Sequence, residues 1–100
     1  MGSAHVVKLE WLELARGDLL RIINYISDDN PDAAQRLKND IEEKIEQLLN
    51  FPKIGRPELK EGTRELVALA NYIVVDQESN FTIRILQVLH AAQQWPHSSS

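Results

Sequence analysis

Apolar residues in the first half of the chain recur at helical intervals, and those in the second half gather into short strand-like runs. Leu12, Ala15, Leu19, Ile22 and Ile26 follow one another at +3, +4, +3 and +4. That spacing places them on one stripe of an amphipathic helix. Glu13, Arg16, Arg21 and Asp28 fall on the other face and solvate it. Gly17 interrupts the pattern, at a cost of up to about 1 kcal/mol against alanine, and is expected to mark a close packing contact. Ser27-Asp28-Asp29-Asn30-Pro31 then stops one helix and starts the next. Asn30 can cap, Pro31 suits the first helical position, and Asp32 complements the positive end of the helix dipole. Ala34, Leu37, Ile41, Ile45 and Leu48, at +3, +4, +4 and +3, form the second stripe, which ends near Asn50. Two amphipathic helices joined by a tight loop predict an antiparallel hairpin whose shared apolar face needs another surface to cover it.

The strands lie on either side of this hairpin. His5 to Trp11 alternates well enough at its end to be a first strand. Phe51-Pro52-Lys53-Ile54-Gly55-Arg56-Pro57 reads as a loop held by two prolines and a glycine. Strand-like runs follow at Thr63 to Ala70, Tyr72 to Gln77 and Phe81 to Leu89. A three-residue turn at Glu78-Ser79-Asn80 would pair Gln77 with Phe81, Val75 with Ile83 and Ile73 with Ile85. In that register Ile73, Val75, Ile83 and Ile85 share the core face. Asp76 then lies on the face away from the core, opposite Thr82 and diagonal to Arg84, close enough to form an ion pair with that arginine. The order β-α-α-β-β-β predicts an α+β fold: a helical hairpin packed on one face of a small, mainly antiparallel sheet.

Bulk properties narrow the possibilities. One hundred residues suffice for one domain with one modest core. That domain is expected to span 5–96, with Met1-Gly2-Ser3-Ala4 a cloning remnant and 97–100 a flexible tail. Hydrophobic residues at 43% and charged residues at 26% describe a globular chain and not a disordered one. Without cysteine there are neither disulfides nor thiolate metal sites. No apolar run reaches the ~20 residues of a membrane span, and no signal-peptide core is visible, so a cytoplasmic location is expected. The net charge of −4 argues against a protein whose main task is gripping a phosphate backbone. The charge is uneven, however. Lys53, Arg56, Lys60 and Arg64 outnumber Glu58 and Glu61 across 53–64, so an anionic partner would meet that stretch or Arg84.

Several short signatures occur together. Trp11 leads into Ala15, Asp18-Leu19 and Tyr25-Ile26, and Asn30-Pro31-Asp32-Ala33-Ala34 opens the second helix. The loop Pro52-Lys53-Ile54-Gly55-Arg56-Pro57 precedes Gly62-Thr63-Arg64-Glu65-Leu66. Tyr72-Ile73-Val74-Val75 and the run from Ile85 to Trp95 complete the series. In this order and at these distances the chain resembles the RelE/ParE toxins, and the ParE branch more closely, from Val7 to about Trp95. The resemblance implies a type II toxin neutralised by a cognate antitoxin in a toxin–antitoxin hetero-oligomer. ParE-like members poison DNA gyrase, whereas RelE-like members cut mRNA in the ribosome. A toxin retaining only antitoxin binding is a third possibility. The family commonly has a tyrosine, often followed by arginine, where this chain has Asp76-Gln77.

Ribose-directed RNA cleavage needs a base, an acid and cations for the charge on phosphorus. Only Arg64, Arg84 and His90 are candidates for those roles, so the set is incomplete and inhibition by binding is the favoured mode. A strand-end histidine such as His90 more often serves a backbone partner than catalysis. Arg56, Arg64, Asp76, Arg84, His90 and Trp95 are the candidates for partner contact. Trp95 is either a lid on the core or an exposed anchor. The three histidines lack ligand spacing, and neither a glycine-rich phosphate loop nor a serine–histidine constellation is present, so neither metal nor cofactor is expected. The antitoxin is expected to cover apolar surface left by the helical hairpin and a sheet edge.

Overall fold

A computed structural model describes residues 8–51, 56–57 and 62–92. Strand β1 (Lys8–Trp11) leads into helices α1 (Glu13–Asp29) and α2 (Pro31–Asn50). The two-residue strand β2 (Arg56–Pro57) and strand β3 (Thr63–Val67) follow, then a single 3-10 turn at Leu69–Asn71. Strands β4 (Tyr72–Ser79) and β5 (Thr82–His90) complete the order. The sheet runs β1-β5-β4-β3-β2, with β1 parallel to β5 and every other pair antiparallel. The expected α+β arrangement of a helical hairpin on a mainly antiparallel sheet is therefore the one found, and β2 is a strand the sequence did not announce.

The helix boundary falls at Asn30, as its chemistry requires. The Asn30 amide closes α1 by donating to the Ile26 carbonyl at 2.8 Å, and its Oδ1 accepts the Ala33 amide of α2 at 3.0 Å. Pro31 at the first helical position lacks a donor that would have needed a partner. The expected stripe of α2 is buried throughout: Ala34, Leu37, Ile41, Ile45 and Leu48. All but Ala34 join Ala15 of α1 and Leu66, Val74, Ile83, Ile85 and Val88 of the sheet in the main core.

Two expectations about packing need correction. No close contact is found at Gly17: a Cβ built there meets no atom within 4 Å among the described residues. The hairpin register also differs from the expected one. Ser79 pairs with Thr82, so the turn contains two residues, Asn80 and Phe81, and not three. Both have positive φ, 50° and 59°, the sign pattern of a type I′ turn. Farther down the hairpin, Val75 pairs with Gln87 while Asp76 pairs with Ile85, which leaves Leu86 as the extra residue of a bulge. The bulge shifts the alternation of β5 by one. Val88 therefore joins Ile83 and Ile85 on the helix side, where Val74 faces them. Ile73, Val75 and Leu89 form a separate small cluster. Ile73 and Val75 thus do not share a face with Ile83 and Ile85, contrary to expectation.

Candidate partner-binding surfaces

The register correction moves Asp76 from the surface into the core. Alternation along β4 puts it on the face of Val74, with Ile85 opposite on one side and Arg64 opposite on the other. It is 1% exposed. Neither carboxylate oxygen finds a hydrogen-bond partner among the described residues. Burial pushes its pKa up to about 7, with Arg64 pulling downward and Glu78 adding to the rise. The expected Asp76–Arg84 pair does not form, because the two side chains leave opposite faces of the sheet.

Arg84 engages other partners. It sits beside Glu10 in the parallel β1–β5 ladder. Its Nε donates to Glu10 Oε1 at 2.9 Å and its Nη1 to Ser79 Oγ at 3.0 Å. This partly exposed pair braces the hairpin stem against β1 and contributes at most about 1 kcal/mol. His90 stands at the far end of β5, opposite Tyr72, with the two rings edge to face at 5.0 Å. Its Nδ1 accepts the Ala92 amide at 3.0 Å, so a neutral ring carries its proton on Nε2. His90 is thus a strand-end histidine with a backbone partner, as the sequence suggested. Arg56, in β2, pairs through its backbone with Glu65 of β3. Trp95 lies outside the described residues.

These candidates do not converge. His90 and Arg84 are six residues apart on β5, roughly 20 Å along the strand. Arg64 belongs to the helix-side face and Arg84 to the other. Among the described residues, no three His, Asp or Glu side chains gather as metal ligands. No described helix is long and apolar enough to cross a membrane.

Apolar surface is a more prominent feature. A groove of about 330 Å³ runs between β1 and both helices, lined by Leu9, Trp11, Leu19, Ile41 and Ile45 together with the charged Arg16 and Glu42. It lies beside β1, which is an edge strand with β5 as its sheet neighbour. A second groove of about 440 Å³ includes Ile26, Leu37, Leu69, Tyr72 and His90, with Arg36 as its cation. Leu14, Leu20 and Tyr25 of α1, and Phe81 at the hairpin tip, are exposed. Sequence reasoning quoted Asp18 and Tyr72 only among the family signatures and Phe81 only as a strand residue, and gave none of them a place in a site. Asp18 carried a usable signal, since a carboxylate three residues after Ala15 and four before Ile22 sits within the apolar stripe.

Comparison with known proteins places this geometry. Residues 9–95 match the family described as the ParE toxin of the type II toxin–antitoxin system parDE. The protein Y4kP of Sinorhizobium fredii, named as a candidate toxin, is 36% identical over 89 residues, covering 89% of this chain and 93% of that one. Toxin RelE2 of Caulobacter vibrioides is 30% identical over 89 residues, covering 88% and 99%. A chain in the chromosomal ParDE toxin–antitoxin system from P. aeruginosa superposes with a TM-score of 0.74 at 24% identity, over 87% of this chain and 98% of that one. A chain of the RelBE2 toxin–antitoxin complex from Mycobacterium tuberculosis does so with a TM-score of 0.61 at 21% identity, over 86% and 99%. Those two likenesses concern the fold. The sequence matches carry the assignment: this chain belongs to the ParE toxin family of type II toxin–antitoxin systems.

Proposed function

We propose that the protein arrests growth in the bacterial cytoplasm by binding and inhibiting DNA gyrase, and that a cognate antitoxin neutralises it. The observation that carries this reading is the dispersal of Arg64, Arg84 and His90 over two faces and roughly 20 Å of sheet. Acid–base cleavage of RNA needs such groups within hydrogen-bond reach of one phosphate. Inhibition by binding needs surface, which the exposed apolar side chains supply. The test is a supercoiling assay with purified gyrase beside a translation reaction in which mRNA ends are mapped. Inhibited supercoiling with intact mRNA is the expected result. Ribosome-dependent cuts in mRNA that His90→Ala abolishes would replace this reading with an mRNA endonuclease. The 30% likeness to the protein named RelE2 keeps that second reading in play. A parent protein that bound antitoxin yet neither arrested growth nor cut mRNA would point to a toxin reduced to antitoxin binding.

The antitoxin is proposed to use the edge of β1 and the neighbouring groove of Leu9, Trp11, Leu19, Ile41 and Ile45. An edge strand offers unpaired backbone groups, and a groove beside it takes alternate apolar side chains. Binding there raises the melting temperature of the pair above that of the toxin alone. Equal melting temperatures would remove this assignment.

A further inference from the structure

We infer that the groove between the turn end of the helical hairpin and the β3–β4 corner docks a peptide segment in which a carboxylate side chain neighbours apolar ones, and that Arg36 is the group that reads the carboxylate. The site is separate from the groove beside β1. That groove uses Ile41, Glu42 and Ile45 of α2, whereas this one uses Arg36 and Leu37. The inference therefore stands apart from the placement of the antitoxin and from the identity of the poisoned protein.

Three elements build the groove of about 440 Å³: Ile26 of α1, Arg36 and Leu37 of α2, and Leu69 with Tyr72 at the corner. The corner is strained and pinned at once. Ala70 and Asn71 hold φ of 58° and 62°, two successive left-handed residues without a glycine. The Leu69 amide donates to Asp40 Oδ2 at 2.9 Å, the Ala68 amide to the Tyr72 carbonyl at 2.7 Å and the Ala91 amide to the Asn71 carbonyl at 2.7 Å. These bonds fix the corner with Leu69 at the groove and 48% exposed. Backbone held against its preference in this way is characteristic of surfaces shaped for a ligand.

Charge selects the occupant. No carboxylate lines the groove among the described residues, and Arg36 is its permanent charge. The lysines of α2 are committed, Lys38 to Glu42 at 2.9 Å and Lys44 to Asp40 at 3.0 Å. Arg36 forms no ion pair with a described residue, although Asp32 lies one turn before it and Asp40 one turn after. Nearby backbone donors are also taken: the Ala33 amide by Asn30 Oδ1 and the Leu69 amide by Asp40. Recognition of an anion thus falls to the guanidinium, which holds a carboxylate by charge-assisted hydrogen bonds. A chain of net charge −4 that leaves this cation beside an apolar groove is complementary to apolar side chains with a carboxylate next to them. The groove is open to solvent, which suits a segment laid across it. A small ligand needs most of its surface buried.

The test titrates the isotope-labelled full chain with acetyl-Phe-Glu-Leu-amide, with the same peptide carrying lysine in place of glutamate, and with 3-phenylpropionate. Amide shifts and affinities are read for the parent, Arg36→Gln and Arg36→Glu. The acidic peptide is expected to shift the amides of Arg36, Leu37, Leu69 and Ala70, and to bind about fivefold more tightly than the lysine peptide. Arg36→Gln removes that preference and Arg36→Glu reverses it. Arg36→Gln adds no charge beside Asp32 and Asp40, so it decides the matter even if Arg36→Glu unfolds, which melting curves detect. Equal binding of the two peptides to the parent overturns the inference. So do a preference that survives Arg36→Gln, and shifts that fall on Leu9 and Trp11 instead. Binding of 3-phenylpropionate as tight as that of the acidic peptide would replace the peptide segment with a small carboxylate.

Discussion

The carboxylate of Asp18 on α1 accepts the backbone amide of Val88 on β5 through Oδ2 at 3.1 Å, joining residues seventy positions apart. Its Oδ1 accepts from Arg21 Nη2 at 2.6 Å. Val88 lies just past the bulged Leu86, where the ladder is disrupted and a buried amide needs a partner from outside the strand. Asp18, at 6% exposure, supplies that partner and fixes how α1 crosses the sheet. Asp18→Ala leaves the buried amide unsatisfied and is expected to destabilise the fold by about 2–3 kcal/mol. Asp18→Asn keeps an acceptor oxygen and is expected to cost about 1 kcal/mol or less. Urea titrations of the three proteins measure the difference, and equal midpoints would show that the Val88 amide has another partner.

Asp76 makes stability depend on pH in a direction opposite to that of a salt-bridged carboxylate. Its folded pKa of about 7 lies above the ordinary 3.8, so the fold prefers the protonated form. The stabilisation is complete below pH 4 and is lost as pH rises toward 7, after which the loss is constant. The interval between the two values corresponds to roughly 4 kcal/mol as an upper bound. Asp76→Asn cannot ionise and is expected to be more stable than the parent at pH 8, with the gap narrowing as pH falls and closing near pH 4. Melting curves of both proteins across that range test the point, and parallel profiles would remove ionisation of Asp76 as the cause. A tyrosine at position 76 is no surface change in this register. It would force a ring among Val74 and Ile85 and lower stability by about 1–3 kcal/mol.

Gly17 sits inside a regular helix with open space where its Cβ would be. Gly17→Ala removes freedom from the unfolded chain without a clash, and stability is expected to rise by about 0.5–1 kcal/mol. A denaturant midpoint at or below that of the parent would mean that the position is occupied by something beyond the described residues.

The corner between β3 and β4 holds Ala70 and Asn71 at φ 58° and 62°. The Leu69 amide beside it donates to Asp40 Oδ2 of α2 at 2.9 Å, and the Ala91 amide donates to the Asn71 carbonyl at 2.7 Å. Ala70→Gly removes a left-handed Cβ from a corner that these bonds already fix. Its expected effect is neutral to stabilising, up to about 1 kcal/mol, whereas glycine within an ordinary strand or helix costs a similar amount. Thermal melting decides between the two signs.

The elements were legible in the sequence because periodicity and caps are local properties. The +3/+4 stripes of α1 and α2 and the Asn30–Pro31 boundary needed nothing beyond neighbouring residues. The hairpin register depended on two departures from regularity that local patterning does not announce. One is a phenylalanine accepted into a left-handed turn position, which Asn80 hinted at but Phe81 disguised as a strand residue. The other is the bulge at Leu86, which shifts every later side chain of β5 to the other face. The turn alone sets Asp76 on the face of Ile83 and Ile85, and the bulge beyond it brings Val88 to the same face. The groove beside β1 was legible only as types of residue, because it joins Leu9 and Trp11 of β1 to Ile41 and Ile45 of α2 through packing alone.

The parallel pairing of β1 with β5 links each residue from Lys8 to Trp11 to a partner between Thr82 and Ile85. A growing chain that has not yet delivered Thr82 leaves Leu9 and Trp11 without the neighbours of their ladder, and Asp18 without Val88. A copy cut short by premature termination before β5 lacks a whole wall of the core. Synthesis of a toxin with this topology therefore has a built-in delay. The sheet and the α1 crossing close only once residues 82–88 have been added.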